Sequence, residues 1–357
     1  MRKPVCYILP LIGLAMLFAG CTDEEVGGEG QTQQEMRLYS SMDGRTEGSE
    51  EETSDEETSS ATSTAGQAVF LFWDFGDVLS GTETPTPLYV KNPDKDIDTY
   101  KRPNEPYNTG ELYPDGNRRV MATGYAPSTL TPDGTDDYEV LTIPAAGYGI
   151  TDILTSVEPI VASAALPFDR EGGETLQFMH AQSKVNFEAK LAENMGKFIQ
   201  NVRITLGEDL IATRVRWNRD KEMYVPEALG ESSYTIEQTD GLQLPPENPL
   251  EIGSAYIVPE QTELSVTLTV ERAETVDFEN WETITFQATL PFIIERDATK
   301  DWDKGKDKNK LYANEAYTFT ILFGEEGIEL VGKKCPWENG GYLIIPIYPT
   351  GNTTTSE

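Results

Sequence analysis

The sequence predicts an all-β protein of two tandem β-sandwich domains, and three observations carry that prediction. Apolar and polar residues alternate with a period of two in 185–191, 264–270, 284–290 and 317–321. That period is typical of strands with one buried face and one exposed face. Glycine, proline and asparagine separate these short segments, and helical periodicity is almost absent, which favours sandwiches. A chain of 357 residues is long enough for two domains with separate cores.

The net charge narrows the classes of partner. The chain has 61 Asp and Glu against 28 Lys and Arg, a formal charge of −33 at pH 7. Binding to nucleic acid needs clusters of Lys and Arg that neutralise phosphates, and electrostatic binding to anionic lipid needs them as well. We therefore predict no nucleic-acid partner, and we interpret the charge as a means of keeping the protein solvated.

Residues with catalytic or metal-binding chemistry are sparse. The chain has one histidine, His180, and three cysteines, Cys6, Cys21 and Cys335. Most acid–base, zinc and disulfide schemes therefore lack the residues that they need. No G-x-S-x-G elbow and no phosphate-binding glycine motif occur. We predict that the protein is not an enzyme and holds no cofactor or metal, and that His180 makes a structural hydrogen bond.

Two acidic loops resemble calcium-binding loops only in part. Asp94, Asp96 and Asp98 have the spacing of calcium ligands, but Thr99 stands where such a loop needs glycine. In the second loop, 301–309, several lysines would repel a cation. A solvated loop is the favoured interpretation of both segments.

The amino terminus predicts export and lipidation. Residues 1–20 have basic residues followed by an apolar run, which is typical of a signal peptide. Residues 18–21, FAGC, resemble a bacterial lipobox with Cys21 as the acylated residue, although Phe18 replaces the usual leucine. The acidic segment 22–25 is similar to the signal that sends Bacteroidetes lipoproteins to the outer face of the outer membrane. We predict anchoring in outer-membrane lipid through Cys21 at the cell surface; an acidic linker on a lipoprotein that faces the periplasm is the alternative.

Residues 21–66 predict a flexible tether around one short strand. Segment 47–63 consists mostly of Glu, Ser and Thr, which cannot bury enough apolar surface to offset chain entropy. An island, 36–41, has strand character and precedes the segment Gly44-Arg45-Thr46. An isolated strand between flexible segments makes sense if it pairs with a sheet and is later removed.

The rest of the chain is predicted to form two domains and a tail, 67–193, 194–350 and 351–357. A dense aromatic and β-branched run, 67–73, predicts a buried strand near the start of the first domain. At the start of the second domain, 198–206 and 210–217 are predicted to pair as a hairpin. The closing segment, 342–348, contains a proline and is therefore predicted to be an edge strand.

A string at the centre of the chain contains Phe178, His180, Ser183, Lys184 and Val185, which match the pattern Phe-x-His-x-x-Ser-Lys-Val. In this pattern the chain resembles the fimbrillin-like proteins, which are the type V pilins and accessory subunits of Bacteroidetes. Segments 124–127 and 152–154 precede the string in the order seen in the family. The resemblance implies that the two sandwiches are transthyretin-like.

The resemblance also implies assembly with other pilin subunits by strand exchange, in a pilus at the cell surface. The removable strand would consist of Met36, Arg37, Leu38, Tyr39, Ser40 and Ser41. A trypsin-like, Arg-specific protease would cut after Arg45. Arg37 is the alternative cleavage site, and it ranks after Arg45 because it lies within the strand. Cleavage would free the subunit from its lipid and open a groove of unpaired backbone groups, which another subunit's strand would fill.

Two alternatives keep the same fold. The chain is then either an uncleaved anchor that retains its lipid at the base of a pilus, or a surface adhesin. An adhesin would bind glycan or host protein through the long loops of 82–116. Tyrosines for sugar stacking in those loops are Tyr89, Tyr100, Tyr107 and Tyr113.

Overall fold

The structure, a computed structural model, describes residues 34–42, 67–81, 85–93, 106–193, 198–230, 232–238, 244, 248–273, 281–291, 305–324, 328–335 and 344–345. All of them belong to one structural unit, Gln34–Glu357. In chain order the strands and the helix are β1 Glu35–Leu38, β2 Ser40–Met42, β3 Val69–Asp74, α1 Phe75–Ser80, β4 Tyr89–Lys91, β5 Tyr107–Leu112, β6 Val120–Ala126, β7 Thr131–Pro132, β8 Val140–Thr142, β9 Leu154–Ser156, β10 Ile160–Ala162, β11 Leu176–His180, β12 Ser183–Leu191, β13 Phe198–Leu206, β14 Arg214–Asn218, β15 Met223–Glu227, β16 Tyr234–Gln238, β17 Leu250–Ile257, β18 Glu263–Ala273, β19 Glu282–Pro291, β20 Glu315–Phe323, β21 Ile328–Cys335 and β22 Ile344–Ile345.

The first half of the chain is built around a seven-stranded sheet. Its order is β2-β11-β9-β6-β3-β4, and β10 also pairs with β6. A strand covered on both faces is expected to be a continuous apolar run rather than an alternating one. Phe70, Leu71 and Phe72 in β3 form such a run and are all fully buried. The buried strand predicted over 67–73 is confirmed.

Each face of the seven-stranded sheet has its own core. One core lies under a two-stranded ribbon of β1 and β5 and includes Met36, Leu38, Phe70, Phe72, Tyr113, Phe168 and Phe178. The other lies under a four-stranded sheet, β15-β14-β8-β7, and includes Leu71, Trp73, Met121, Tyr125, Leu141, Val215 and Tyr224. Because successive strand residues point to opposite faces, neighbouring residues of β3 contribute to different cores.

The second half forms a β-sandwich. One sheet has the order β17-β12-β20-β21-β22 and the other β16-β13-β18-β19. The core between them includes Val185, Phe187, Ile204, Leu268 and Phe319. In β12 every second residue is buried, as the alternation predicted. Of the edge strand predicted for 342–348 the structure describes only β22, which is the last described strand of its sheet. The all-β sandwich fold is confirmed, while the transthyretin-like topology stays a prediction.

The hairpin predicted from 198–206 and 210–217 is wrong. Strand β13 pairs with β16 and β18, whereas β14 pairs with β15 and β8. The chain changes layers between them: Leu210 and Ile211 pack in the core of the second sandwich, and Val215 packs beneath the seven-stranded sheet. Alternation identifies a strand and its buried face, but it does not identify the strand's partner.

The stretch 176–191 contains two strands in different sheets. Strand β11 pairs with β9 and β2 in the first sheet, and β12 pairs with β17 and β20 in the second sandwich. Strand pairing therefore changes sheets at Ala181 and Gln182, before the boundary between 193 and 194 predicted from sequence. The predicted domain limits stay predictions about folding units.

The α-helix within the described residues is a single short segment. The Asp74 side chain caps α1 by accepting a hydrogen bond from the Gly76 N–H at 2.9 Å, and Gly81 ends it with a φ of 71°, a conformation that favours glycine. In the part of the chain that the structure describes, no helix is long and apolar enough to cross a membrane.

Candidate functional site

The segment 34–42 begins with a strand whose side chains complete the first core. In β1, Met36 and Leu38 are fully buried, while Arg37 between them is exposed. This follows from the two-residue period of a strand that lies against a sheet. The strand is only four residues long, so these two side chains make up most of its contact with the core.

Hydrogen bonds from the β5 region to two main-chain oxygens and one carboxylate hold β1 in place. The Thr109 hydroxyl donates to the Met36 carbonyl at 2.8 Å, and the Tyr113 N–H donates to the Gln34 carbonyl at 3.0 Å. The Gly110 N–H donates to the Glu35 carboxylate at 3.0 Å. Two of these three acceptors are backbone carbonyls, those of Met36 and Gln34. Every residue has a backbone carbonyl, so other residues could supply these two acceptors.

After Tyr39 the segment joins the edge of the seven-stranded sheet. Strand β2 pairs in parallel with β11, with Ser40 opposite Leu176, and the Leu176 N–H donates to the Tyr39 carbonyl at 2.8 Å. Ser40 is buried, 3% exposed. One short segment therefore contributes both to the ribbon over the core and to the edge of the sheet below it.

Aromatic rings surround the buried side chains of β1. The ring centroids of Phe70 lie 5.3 Å from those of Tyr107 and 6.0 Å from those of Phe178. A Cβ on Gly124 would come within 2.6 Å of Phe178 Cζ, so glycine lets Phe178 pack directly on β6. These rings form an apolar wall that β1 covers.

Tyr113 is part of the same wall and has a partner for its hydroxyl. The Phe168 N–H donates to the Tyr113 oxygen at 2.8 Å, and the rings of Tyr113 and Phe168 lie 5.9 Å apart. Burial raises the pKa of Tyr113 to about 12, because a buried phenolate would lose its hydration.

The predicted removable strand is therefore divided in the structure. Met36, Arg37 and Leu38 lie in β1, Tyr39 lies between the strands, and Ser40 and Ser41 lie in β2. The predicted lipidation site Cys21 and the predicted cleavage site Arg45 lie outside the described residues.

The tyrosines considered for sugar stacking pack against their own domain. Tyr113 is 3% exposed, and Tyr89 and Tyr107 pack against the first core. The Tyr89 hydroxyl donates to the Leu112 carbonyl at 3.3 Å. Tyr100 lies outside the described residues. Tyr113 is therefore buried in the core, whereas Tyr89 and Tyr107 pack against the core with part of their surface exposed, and the adhesin alternative stays a prediction.

His180 makes the structural hydrogen bond that the sequence predicts. Its Nδ1 lies 2.7 Å from Asp152 Oδ1, with both residues buried, and its backbone N–H donates to the Asn314 side chain at 3.3 Å. The Asp152 contact joins β11 to the segment before β9, and the Asn314 contact joins it to the second half of the chain. Among the described residues no group of three or more His, Cys, Asp or Glu could hold a metal ion.

Two residues that bind the first segment were not predicted in that role: Thr109 was not singled out, and Tyr113 was considered only for sugar stacking. Both lie in a stretch interpreted as long loops, because Gly110 and Pro114 interrupt any periodic pattern there. The one available signal is the aromatic residue on each side of Gly110, Tyr107 and Tyr113, which are candidates for burial.

Solved structures similar to this chain include adhesin and fimbrial proteins of Bacteroidetes. A candidate cell adhesion protein from Bacteroides ovatus is 14% identical, and the match covers 89% of this chain and 100% of that chain with a TM-score of 0.46. A fimbrial assembly protein from Parabacteroides distasonis is 13% identical, with 80% and 92% covered and a TM-score of 0.38. The tip fimbrial protein Mfa3 from Porphyromonas gingivalis, truncated at its C-terminus, is 10% identical, with 76% and 94% covered and a TM-score of 0.39. No protein-family model and no curated protein matches the chain.

Proposed function

We propose that this chain is a subunit of a cell-surface pilus that supports adhesion and is assembled by strand exchange. In this proposal residues 36–41 occupy the place that a strand from another subunit takes after proteolysis. The observation that carries it is the burial of Met36 and Leu38, which complete a core from a short strand outside the main sheet.

Burial of Met36 and Leu38 contributes stability that the chain would lose with the segment. Full burial of a Met or Leu side chain stabilises a fold by about 1.5–3 kcal/mol, so the two together contribute about 3–6 kcal/mol. Loss of the segment would also expose the aromatic wall of Phe70, Tyr107 and Phe178. A subunit without these residues therefore has a strong driving force to take up a replacement strand.

A replacement strand would have to provide backbone hydrogen-bond acceptors and side chains that fit the core. Tyr113 and Leu176 donate their N–H groups to backbone carbonyls of the segment, and the Thr109 hydroxyl does the same. These three donors could bind any extended strand, because every residue has a backbone carbonyl that accepts a hydrogen bond. Specificity would come from the side chains: two apolar residues spaced as Met36 and Leu38 are, followed by a small residue at the place of Ser40.

Release of the subunit from its lipid would depend on where the protease cuts the chain. In the proposal the chain is anchored in outer-membrane lipid through Cys21, and an Arg-specific protease cuts after Arg45. Arg37 is exposed, but its backbone is paired opposite Asn108 in β5, whereas proteases bind substrates as free extended chains. This geometry favours a cut outside the strand. The proposal assigns no catalytic step to the chain itself.

The experiment is amino-terminal sequencing of the protein recovered from surface-shed filaments. We expect a mature start at Thr46, unchanged in an Arg37→Ala control and absent in Arg45→Ala. Assembled filaments whose subunits begin at Cys21 would contradict cleavage and leave the uncleaved anchor. Electron microscopy without filaments, together with binding on a glycan array, would support the adhesin instead.

A further inference from the structure

Exposed sheet edges invite pairing with other chains, and most edges of this molecule are blunted. Among the described strands, β2, β4, β7, β10 and β22 have three residues or fewer. Very short edge strands offer few backbone groups to a partner. The ribbon of β1 and β5 carries a bulge between Glu35 and Arg37, which also disturbs regular pairing.

The longer edges carry other protective features. Strand β15 contains Pro226, which has no N–H to offer. Strand β16 has five residues, and its Glu237 forms an ion pair with Arg203 at 2.7 Å. Strand β17 has a register shift next to Gly253, and the Tyr256 N–H donates to a loop carbonyl at 2.8 Å. Each of these features makes addition of a further strand unfavourable.

Strand β19 lacks these features. It has ten residues, and it pairs with β18 without a register shift from Glu282 to Pro291. No charged residue occurs in 283–290, and the proline is the last residue of the strand. Within the part of the chain that the structure describes, no strand pairs with its outer edge. Among the described residues it is therefore a long and regular edge without these protective features.

The two faces of β19 are already ordered. Ile284 is buried and Phe286 packs against the core of the second sandwich. On the outer face Thr285 and Gln287 are exposed, and the Thr285 hydroxyl lies 3.2 Å from the Thr269 hydroxyl of β18. A strand that pairs with this edge meets a preformed template with an apolar face and a hydroxyl-rich face.

The distribution of charge around β19 permits a second copy of the chain as the partner at this edge. A protein with a net charge of −33 repels its own copies over most of its surface. Along 283–290 there is no charge to repel, and the acid at the start of the strand, Glu282, is paired with Arg272 at 2.9 Å. At this edge a second copy can therefore approach closely without the repulsion that acts over most of the surface.

We propose that two copies of this chain associate edge to edge through β19. The strands pair antiparallel about a two-fold axis, so that each supplies the same surface to the other. The sheet β16-β13-β18-β19 of one copy then continues into the same sheet of the second copy. Apolar residues lie on the core side of this continuous sheet and hydroxyls lie on the other side. This contact requires neither cleavage nor strand replacement.

Sedimentation velocity of the full, uncleaved chain over a range of concentrations tests the proposal. Because a single strand pair buries little area, we expect a weak dimer whose population rises with concentration. Gln287→Lys places like charges close together across the axis and is expected to weaken dimerisation about tenfold or more. Thr235→Lys is the matched control, since Thr235 is an exposed threonine on β16, at the other edge of the same sheet; it should dimerise as the wild type does.

A mixture provides the sharper arm. Gln287→Lys and Gln287→Glu should each dimerise poorly alone and recover dimerisation when mixed. A wild type that stays monomeric at all concentrations would overturn the proposal, and so would equal loss in Gln287→Lys and Thr235→Lys. Should Gln287→Lys fail to fold by circular dichroism, hydrogen exchange of the wild type decides: amides of 283–290 must gain protection as concentration rises, and unchanged exchange there excludes the contact.

Discussion

The strands β1 and β19 both lie outside the centre of their layers, yet they contribute to the fold in opposite ways. Strand β1 is short and bulged, but both of its inward side chains are fully buried in a core. Strand β19 is long and regular, and its outer face consists of exposed hydroxyls and one amide. The first strand pairs with β5 and also adds two buried side chains to a core, whereas the second offers an outer backbone edge with which no described strand pairs. The difference indicates that replacement suits the first edge and addition suits the second.

The largest expected effect is the loss of a core side chain from β1. Leu38→Ala should lower the free energy of unfolding by about 2–5 kcal/mol, because it removes buried methyl groups and leaves a cavity among aromatic rings. The measurement is urea denaturation. Arg37→Ala is the control: Arg37 is exposed on the same strand and should change stability by no more than about 0.5 kcal/mol. Equal effects of the two substitutions would mean that β1 is held by its backbone, and the comparison with β19 would fail.

The sequence predicts the strands better than their relations. Alternation in 185–191 and 264–270 marks β12 and β18 and their buried faces, because a half-buried strand must alternate. The same pattern contains no information on partners, so it does not show that β14 leaves the second sandwich and pairs with β8 of the first half. The parallel pairing of Ser40 with Leu176 joins residues far apart in sequence, and no local pattern encodes it.

The sequence predicts the strand at the site, but it does not predict the residues that bind this strand. Met36 and Leu38 belong to an apolar island in a polar tether, a contrast that is visible in the sequence. Thr109 and Tyr113 receive that strand, but their stretch has the composition of a loop. A buried threonine with one long-range hydrogen bond leaves no periodic signal, since its role depends on the partner.

Alkaline pH should act on the region of β1 through Tyr113. Its folded pKa is raised to about 12 by burial, whereas an unfolded tyrosine ionises near pH 10. The stability from the neutral phenol is fully present below about pH 10 and is lost as pH rises toward about 12, because only the unfolded state then releases the proton. We expect the free energy of unfolding to fall over this range.

Tyr113→Phe tests that assignment by urea denaturation at a series of alkaline pH values. The variant loses the hydrogen bond from the Phe168 N–H and should be less stable at neutral pH, but its stability should decline less steeply above about pH 10. Burial also raises the pKa of Tyr125 and of Tyr224 beneath the other face of the sheet, so part of the slope should remain. An unchanged slope in Tyr113→Phe would mean that Tyr113 ionises equally in both states. No tyrosine occurs in β19, so that edge provides no such pH dependence.

The smallest expected effect concerns salt and separates the two edges by charge. If copies associate through the uncharged edge of β19, added salt should strengthen the dimer a few-fold, because it screens repulsion between two chains of charge −33. The mixed dimer of Gln287→Lys with Gln287→Glu should gain less from added salt, since salt screens the same repulsion but also weakens its engineered ion pair. Sedimentation velocity at low and high ionic strength measures both. A wild-type dimer that salt weakens must be held by ion pairs elsewhere, and β19 would then be an edge protected by the charge of the whole molecule rather than a contact surface.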